Sequence, residues 1–134
     1  MAEYKKKLDA DIRCPLEYGL TIFGGKSGEY PQKLYKALMN SQTVLTVWDD
    51  ARLVGLIRVL DDSEMLAQIH YVLVHPEYQG RGIAGRMVEY IKEKYKNFMY
   101  LELMPEDKNN VPFYEKHGFH VMENGAAMQI CNVN

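Results

Sequence analysis

The stretch from Ile69 to Gly85 constrains this chain more than any other. It opens as Ile69-His70-Tyr71-Val72-Leu73-Val74, a run of β-branched and aromatic residues that reads as a buried strand. Pro76 ends the run, because proline has no N–H to offer a sheet ladder. Gly80, Gly82 and Gly85 follow, and a helical pattern begins at once. Ile83, Met87, Val88, Ile91 and Tyr95 recur at spacings that share one helix face. Strand, glycine loop and helix N-terminus in that order form an anion site, where N–H groups point outward and the helix dipole favours negative charge. Glycines let the backbone approach a bulky polyphosphate without Cβ clashes. The expected ligand is a pyrophosphate.

Two motif frames overlap on these residues. Gly80-Arg81-Gly82-Ile83-Ala84-Gly85 fits the dinucleotide pattern G-x-G-x-x-G, with Glu102 placed as a ribose-binding acid. That pattern needs its first glycine directly after the strand, whereas His75 to Gln79 intervene. It also needs further βαβ units, which the remaining sequence lacks. The other frame starts one residue earlier: Gln79, Gly82 and Ala84 fit Gln/Arg-x-x-Gly-x-Gly/Ala. This segment closely resembles the acyl-CoA pyrophosphate loop of the GNAT superfamily of N-acetyltransferases.

A length of 134 residues predicts a single domain, residues 1–134, able to bury a core without staples. The net charge of −2 provides no basic field for nucleic acid. Cys14 and Cys131 have no metal spacing and no secretory leader pattern is visible, so free thiols in a reducing cytoplasm are expected. No metal and no membrane partner are expected either, since no apolar run approaches a membrane span. Gly24-Gly25-Lys26-Ser27 imitates the tail of a P-loop, but Leu20 stands where its first glycine belongs.

In chain order, Lys5-Lys6-Lys7 reads as a solvated terminus, and Leu16 to Phe23 as a strand followed by a loop at Gly24–Gly28. Tyr30 to Asn40 reads as a helix with Pro31 in its first turn and an apolar stripe of Leu34, Tyr35, Leu38 and Met39. Thr43–Trp48 and Leu53–Leu60 form a hairpin across Asp49–Arg52. Met65–Val74 is the central strand. Phe98–Met104 follows the long helix and should lie parallel to that strand. Val111–His117 is a short helix closed by Gly118, and Phe119–Met122 and Ala126–Cys131 are closing strands around Asn124-Gly125. The fold class is α/β, with a mixed, largely antiparallel central sheet flanked by helices.

The resemblance extends from about Thr43 to Ile130. Val47–Arg58 is similar to the family's hairpin, Val72–Ala84 to its central motif, and Asn110-Val111-Pro112-Phe113-Tyr114-Glu115-Lys116-His117-Gly118-Phe119 to its Phe-Tyr-x-x-x-Gly-Phe helix. Residues 1–40 depart from the family's usual two opening helices. The resemblance implies acetyl-CoA as co-substrate and direct acetyl transfer to a primary amine. Its pyrophosphate would lie on the N–H groups of Gln79, Gly80, Arg81, Gly82, Ile83, Ala84 and Gly85. Its pantetheine arm would pair with Val72, Leu73 and Val74 like an added strand, and a backbone N–H near Leu73 would face the thioester oxygen. Asn109 or Asn110 would contact the arm or cap the next helix; the family's usual Asn position is occupied by Asp107.

Direct transfer also needs an acid for the leaving thiolate and a route for the amine's proton. Tyr114 suits the acid, since a phenol with pKa ~10 is protonated at neutral pH. Gln68 and His70 are read as alternating onto one face with Val72. The family's histone-acetylating members carry Glu at the position of Gln68, which cannot accept a proton. The arylalkylamine-acetylating branch has a histidine where His70 stands, and His70 is the candidate base. His75 is expected to cap a strand end, and His117 and His120 to be structural. The expected acceptor is a small-molecule amine, and a homodimer is the commonest oligomer to expect. Two alternatives remain: an acyl-CoA-binding module without catalysis, and an acetyltransferase of protein or peptide N-termini.

Overall fold

The computed structural model describes residues 3–5 and 29–133. The strand expected at Leu16–Phe23, the loop after it and Cys14 lie outside the described residues. The chain divides into two units, Met1–Leu103 and Met104–Asn134.

The first unit is built on a five-stranded sheet of β1 (Glu3–Lys5), β2 (Thr43–Asp49), β3 (Arg52–Asp61), β4 (Leu66–Val74) and β5 (Tyr100–Leu103), in that spatial order. Neighbours run antiparallel except β4 and β5, which are parallel because helix α2 (Ile83–Lys94) carries the chain between them. Helix α1 (Pro31–Met39) precedes the sheet's central hairpin. A mixed, largely antiparallel sheet flanked by helices is thus the observed architecture. No helix of the described residues is long and apolar enough to cross a membrane.

The two helices cover opposite faces. Leu34 and Leu38 of α1 pack into a cluster with Val44, Trp48, Leu53 and Leu56, and Tyr71 and Leu73 lie against it. Gly55 precedes Leu56 on β3 and therefore points to the other face. A Cβ at Gly55 would come within 3.1 Å of Ile83 Cγ2 and 3.2 Å of Val47 Cβ. Glycine here lets the first residue of α2 rest on the sheet. Ile83, Met87, Val88 and Ile91 are the buried stripe of that helix, as the spacing predicts.

The far end of α2 is tied by a phenol. Tyr95 is buried, and its hydroxyl lies 2.6 Å from Thr43 Oγ1 and donates to Asp61 Oδ2 at 2.6 Å. The turn after β3 closes on Asp62, whose Oδ1 accepts from the amides of Met65, Glu64 and Leu66. Those bonds hold its carboxyl below the usual carboxylate range.

The second unit contains α3 (Val111–Lys116), closed as expected by Gly118 at φ 94°. The closing hairpin is not formed. Gly125 donates to the Met122 carbonyl at 3.0 Å, so a turn forms one residue early, with Glu123 and Asn124 at its centre in place of Asn124-Gly125, and Phe119–Met122 and Ala126–Cys131 form no strands. A lone two-stranded hairpin is marginal without a further strand or helix against it. Within this unit its apolar side chains stay in water: Met128 is 94% and Ile130 87% exposed.

Burial, then Asp61, pushes the Tyr95 pKa up to about 12. The folded chain keeps a proton that the unfolded chain gives up near pH ~10, so stability falls as pH rises from that value towards about 12. Chemical denaturation of wild type and Tyr95→Phe across this window should show a steeper loss in wild type. Parallel loss in the two would show that Tyr95 contributes nothing to the alkaline transition.

Candidate active site

Two irregularities in β4 create the site. The first is a bulge. Arg58 of β3 pairs with Tyr71, and Val59 pairs with Ile69, so His70 is an extra residue on β4. The bulge breaks the alternation expected for Gln68, His70 and Val72. Gln68 and Tyr71 pair with Leu60 and Arg58 on one face, while Val72 pairs with Ile57 and lies on the other. The side chain of His70 meets Arg58.

The second irregularity is the end of the β4–β5 ladder. The parallel pairing runs from Leu66–Tyr100 to Ile69–Leu103 and stops there. Beyond it, β4 continues to Val74 with β3 as its one strand neighbour among the described residues. The hydrogen-bond parity of this stretch follows from one contact: the His75 amide donates to the Val54 carbonyl at 2.7 Å. In an antiparallel ladder, groups alternate between the two sides. The amides of Tyr71 and Leu73 therefore face β3, and those of Val72 and Val74 face the open edge. The Val74 carbonyl, on that edge, accepts from Gln79 Nε2 at 3.4 Å.

The glycine loop starts where this edge ends. His75 caps the 3-10 turn Pro76–Tyr78, its Nδ1 accepting from the Glu77 amide at 3.2 Å. Gly80 and Gly82 both adopt φ 79°, in the left-handed region. Nothing lies within 4 Å of a Cβ built on either, so backbone conformation, and not crowding, demands glycine there. Gly82 is the N-cap of α2 and offers no side-chain cap. The first-turn amides of Ile83, Ala84 and Gly85 thus have no acceptor within the helix and point at the loop's mouth.

Charge flanks the loop. Arg81 lies 4.7 Å over the Tyr78 ring and donates to the Glu77 carbonyl at 3.2 Å. Arg52 lies 5.6 Å from the same ring and pairs with Glu77 at 3.0 Å. The Tyr78 hydroxyl donates to Asp49, which raises its pKa.

Arg58 of β3, which motif reading passes over, joins three side chains on the sheet face that carries Gln68 and Tyr71. Its Nε donates to Ser41 Oγ at 2.7 Å, and Ser41 donates to the Ala37 carbonyl at 2.7 Å. Its Nη1 lies 2.6 Å from His70 Nδ1, and its guanidinium lies 5.8 Å from the Tyr71 ring. Burial lowers its pKa. A guanidinium only donates, so His70 Nδ1 is the acceptor and the neutral ring carries its proton on Nε2. The available signal in sequence was an arginine in the middle of an otherwise apolar strand, Leu53–Leu60.

Three candidate residues belong to the second unit. Tyr114 is half-buried, packed against Phe113 with ring centroids 5.0 Å apart and Phe119 at 6.0 Å. Burial raises its pKa, and among the described residues its hydroxyl has no hydrogen-bond partner. Asn109 and Asn110 are exposed. Asp107 caps their 3-10 turn by accepting from the Asn109 amide at 2.9 Å, and Asn110 leads into α3 without a side-chain cap bond.

Residues 16–119 match the model of the acetyltransferase (GNAT) family. An uncharacterised ycf52-like N-acetyltransferase from Prochlorococcus marinus is 28% identical over 99 residues, 70% of this chain and 55% of that protein. The chain thus spans about half the length of this curated relative. Among solved structures, a protein of unknown function from meticillin-resistant Staphylococcus aureus, described as a probable acetyltransferase, is 28% identical with TM-score 0.83, covering 98% of this chain and 99% of that one. A GNAT family acetyltransferase from Elizabethkingia anophelis with acetyl-CoA bound shares the fold at 17% identity and TM-score 0.69, covering 90% and 77% of the two chains.

The nitrogen chemical shifts of the His70 ring at neutral pH should report an unprotonated Nδ1 and a protonated Nε2. The opposite tautomer would rule out the Arg58–His70 hydrogen bond.

Proposed function

Because the chain belongs to the acetyltransferase (GNAT) family, we propose that it transfers the acetyl group of acetyl-CoA directly to a primary amine of a small molecule. The observation that carries this reading is the open edge of β4 at Val72 and Val74, running directly into a glycine loop with uncapped helix amides. One edge offers strand-like hydrogen bonds to an extended amide-bearing arm, and the loop offers donors to the pyrophosphate at its end. The spaces beside Gly80 and Gly82, where no atom meets an added Cβ, suit such a group. An acetyl-CoA complex of the Elizabethkingia anophelis protein, which shares the fold, supports the same donor here.

Each chemical demand has a candidate in this chain. The amine nitrogen forms a bond to the thioester carbon while the carbon–sulfur bond breaks. Negative charge on the carbonyl oxygen is met by an amide of the open edge, Val72 or Val74, since Leu73 turns its amide to β3. Leu73 contributes its place in the strand instead. Gln79, Arg81 and the amides from Gly80 to Gly85 hold the pyrophosphate, and Asn109 or Asn110 contacts the arm. His70 accepts the amine's proton at Nδ1, whose lone pair the Arg58 N–H must first vacate. Tyr114 gives its proton to the departing sulfur. The Phe-Tyr-x-x-x-Gly-Phe pattern and a phenol kept protonated by burial support that role.

The test is thiol release from acetyl-CoA across a panel of amines, with Tyr114→Phe in parallel. Turnover with one class of amine, reduced about a hundredfold or more in the variant, is expected from loss of a general acid. Because burial raises the Tyr114 pKa, no alkaline loss of activity due to this residue is expected below pH ~10. Turnover indifferent to the substitution would remove Tyr114 from the chemistry. Tight acetyl-CoA binding without turnover on any amine would favour an acyl-CoA-binding module.

A further inference from the structure

Arg58 is a half-buried cation whose partners are all neutral. Among the described residues, Arg52, Lys92 and Lys96 pair with Glu77, Glu89 and Glu93, and no carboxylate reaches Arg58. A guanidinium has five N–H donors, and two are used, by Ser41 and His70. The remaining three have no acceptor among the described residues. A charge taken partly out of water without a counter-charge is costly, and a planar anion can accept two of these N–H groups at once.

Its position says which anion. Arg58 stands opposite Tyr71 in the ladder, one residue before Val72, whose amide faces the open edge. It already touches His70 Nδ1 at 2.6 Å, the atom assigned to the amine's proton. The Ser41 contact anchors Nε at the end of α1, which leaves the terminal nitrogens to swing. An ammonium presented to Nδ1 makes the same kind of contact as the Arg58 N–H that it displaces. The displaced guanidinium then needs an acceptor within a few bonds of that amine.

We propose that Arg58 receives an anionic group, carboxylate or phosphate, carried on the acceptor amine itself. This rests on the transferase reading above and narrows its substrate to small amines with an acid a few bonds away. Arg58 is then a specificity-determining residue: it gives up His70 Nδ1 to the amine and selects the acceptor through the anionic group.

The experiment compares matched acceptors with wild type, Arg58→Gln and Arg58→Lys. One pair is an α-amino acid and its amide, and another is phosphoethanolamine and ethanolamine. Wild type should favour the anionic member of at least one pair by about ten- to a hundredfold in kcat/KM, mostly through KM, the range expected of charged hydrogen bonds. Which pair responds distinguishes carboxylate from phosphate. The preference should vanish in Arg58→Gln and return in part in Arg58→Lys, with thermal melts confirming folded protein. Wild type indifferent to the anionic group overturns the proposal without any variant, as does an equal loss on both members of each pair in Arg58→Gln. No thiol release with any amine overturns the transferase reading itself and takes this proposal with it.

Discussion

The site depends on where β4 ceases to be shared. From Ala67 to Ile69 the strand is paired on both sides, with β3 and with β5. After Ile69 the β5 side is vacated while the β3 side continues to Val74. Backbone polar groups on such an edge seek partners, and an extended ligand bearing amides can supply them. The bulge at His70 lies at the point of divergence, which is where a local increase in twist helps two strands separate. A fully paired β4 would be a better sheet and a worse binding edge.

The glycine loop is useful only if its helix stays fixed against that edge. Two contacts secure α2, one at each end. At the start Ile83 rests on the side-chain-less face of Gly55, and at the finish Tyr95 reaches Thr43 and Asp61. Because both are contacts to the central strands, the amides of Ile83, Ala84 and Gly85 are held at a set distance from Val72 and Val74. Left-handed backbone at Gly80 and Gly82 then brings the chain from the 3-10 turn into the helix. Substituting either with a non-glycine residue would cost about 1–2 kcal/mol from conformation alone.

Much of this was legible in the residues because it follows from local rules. The Pro76–Gly82 punctuation, the 3.6-residue stripe of α2 and the hairpin across Asp49–Arg52 each have a short-range cause, and each element lies where expected. What was not legible is non-local. The bulge depends on the register of β3 against β4, and no single-strand pattern of Gln68, His70 and Val72 reveals it. Arg58 acquires its meaning only when Ser41 and His70, far apart in sequence, come to it. Phe119–Cys131 fails in the other direction: the turn at Met122–Gly125 forms on local chemistry, but strands require a neighbour that alternation alone cannot supply. The tyrosine and asparagines around α3 were found through motif resemblance, and their roles rest on it.

In the proposed function acetyl-CoA occupies the open edge of β4 and the glycine loop together. Residue-resolved amide hydrogen exchange, with and without acetyl-CoA, tests it most directly. New protection is expected at Val72 and Val74 and at Ile83, Ala84 and Gly85. Leu73 and Tyr71, already facing β3, should change little. Protection at Leu73 in place of its neighbours, or no change at either the edge or the loop, would contradict it.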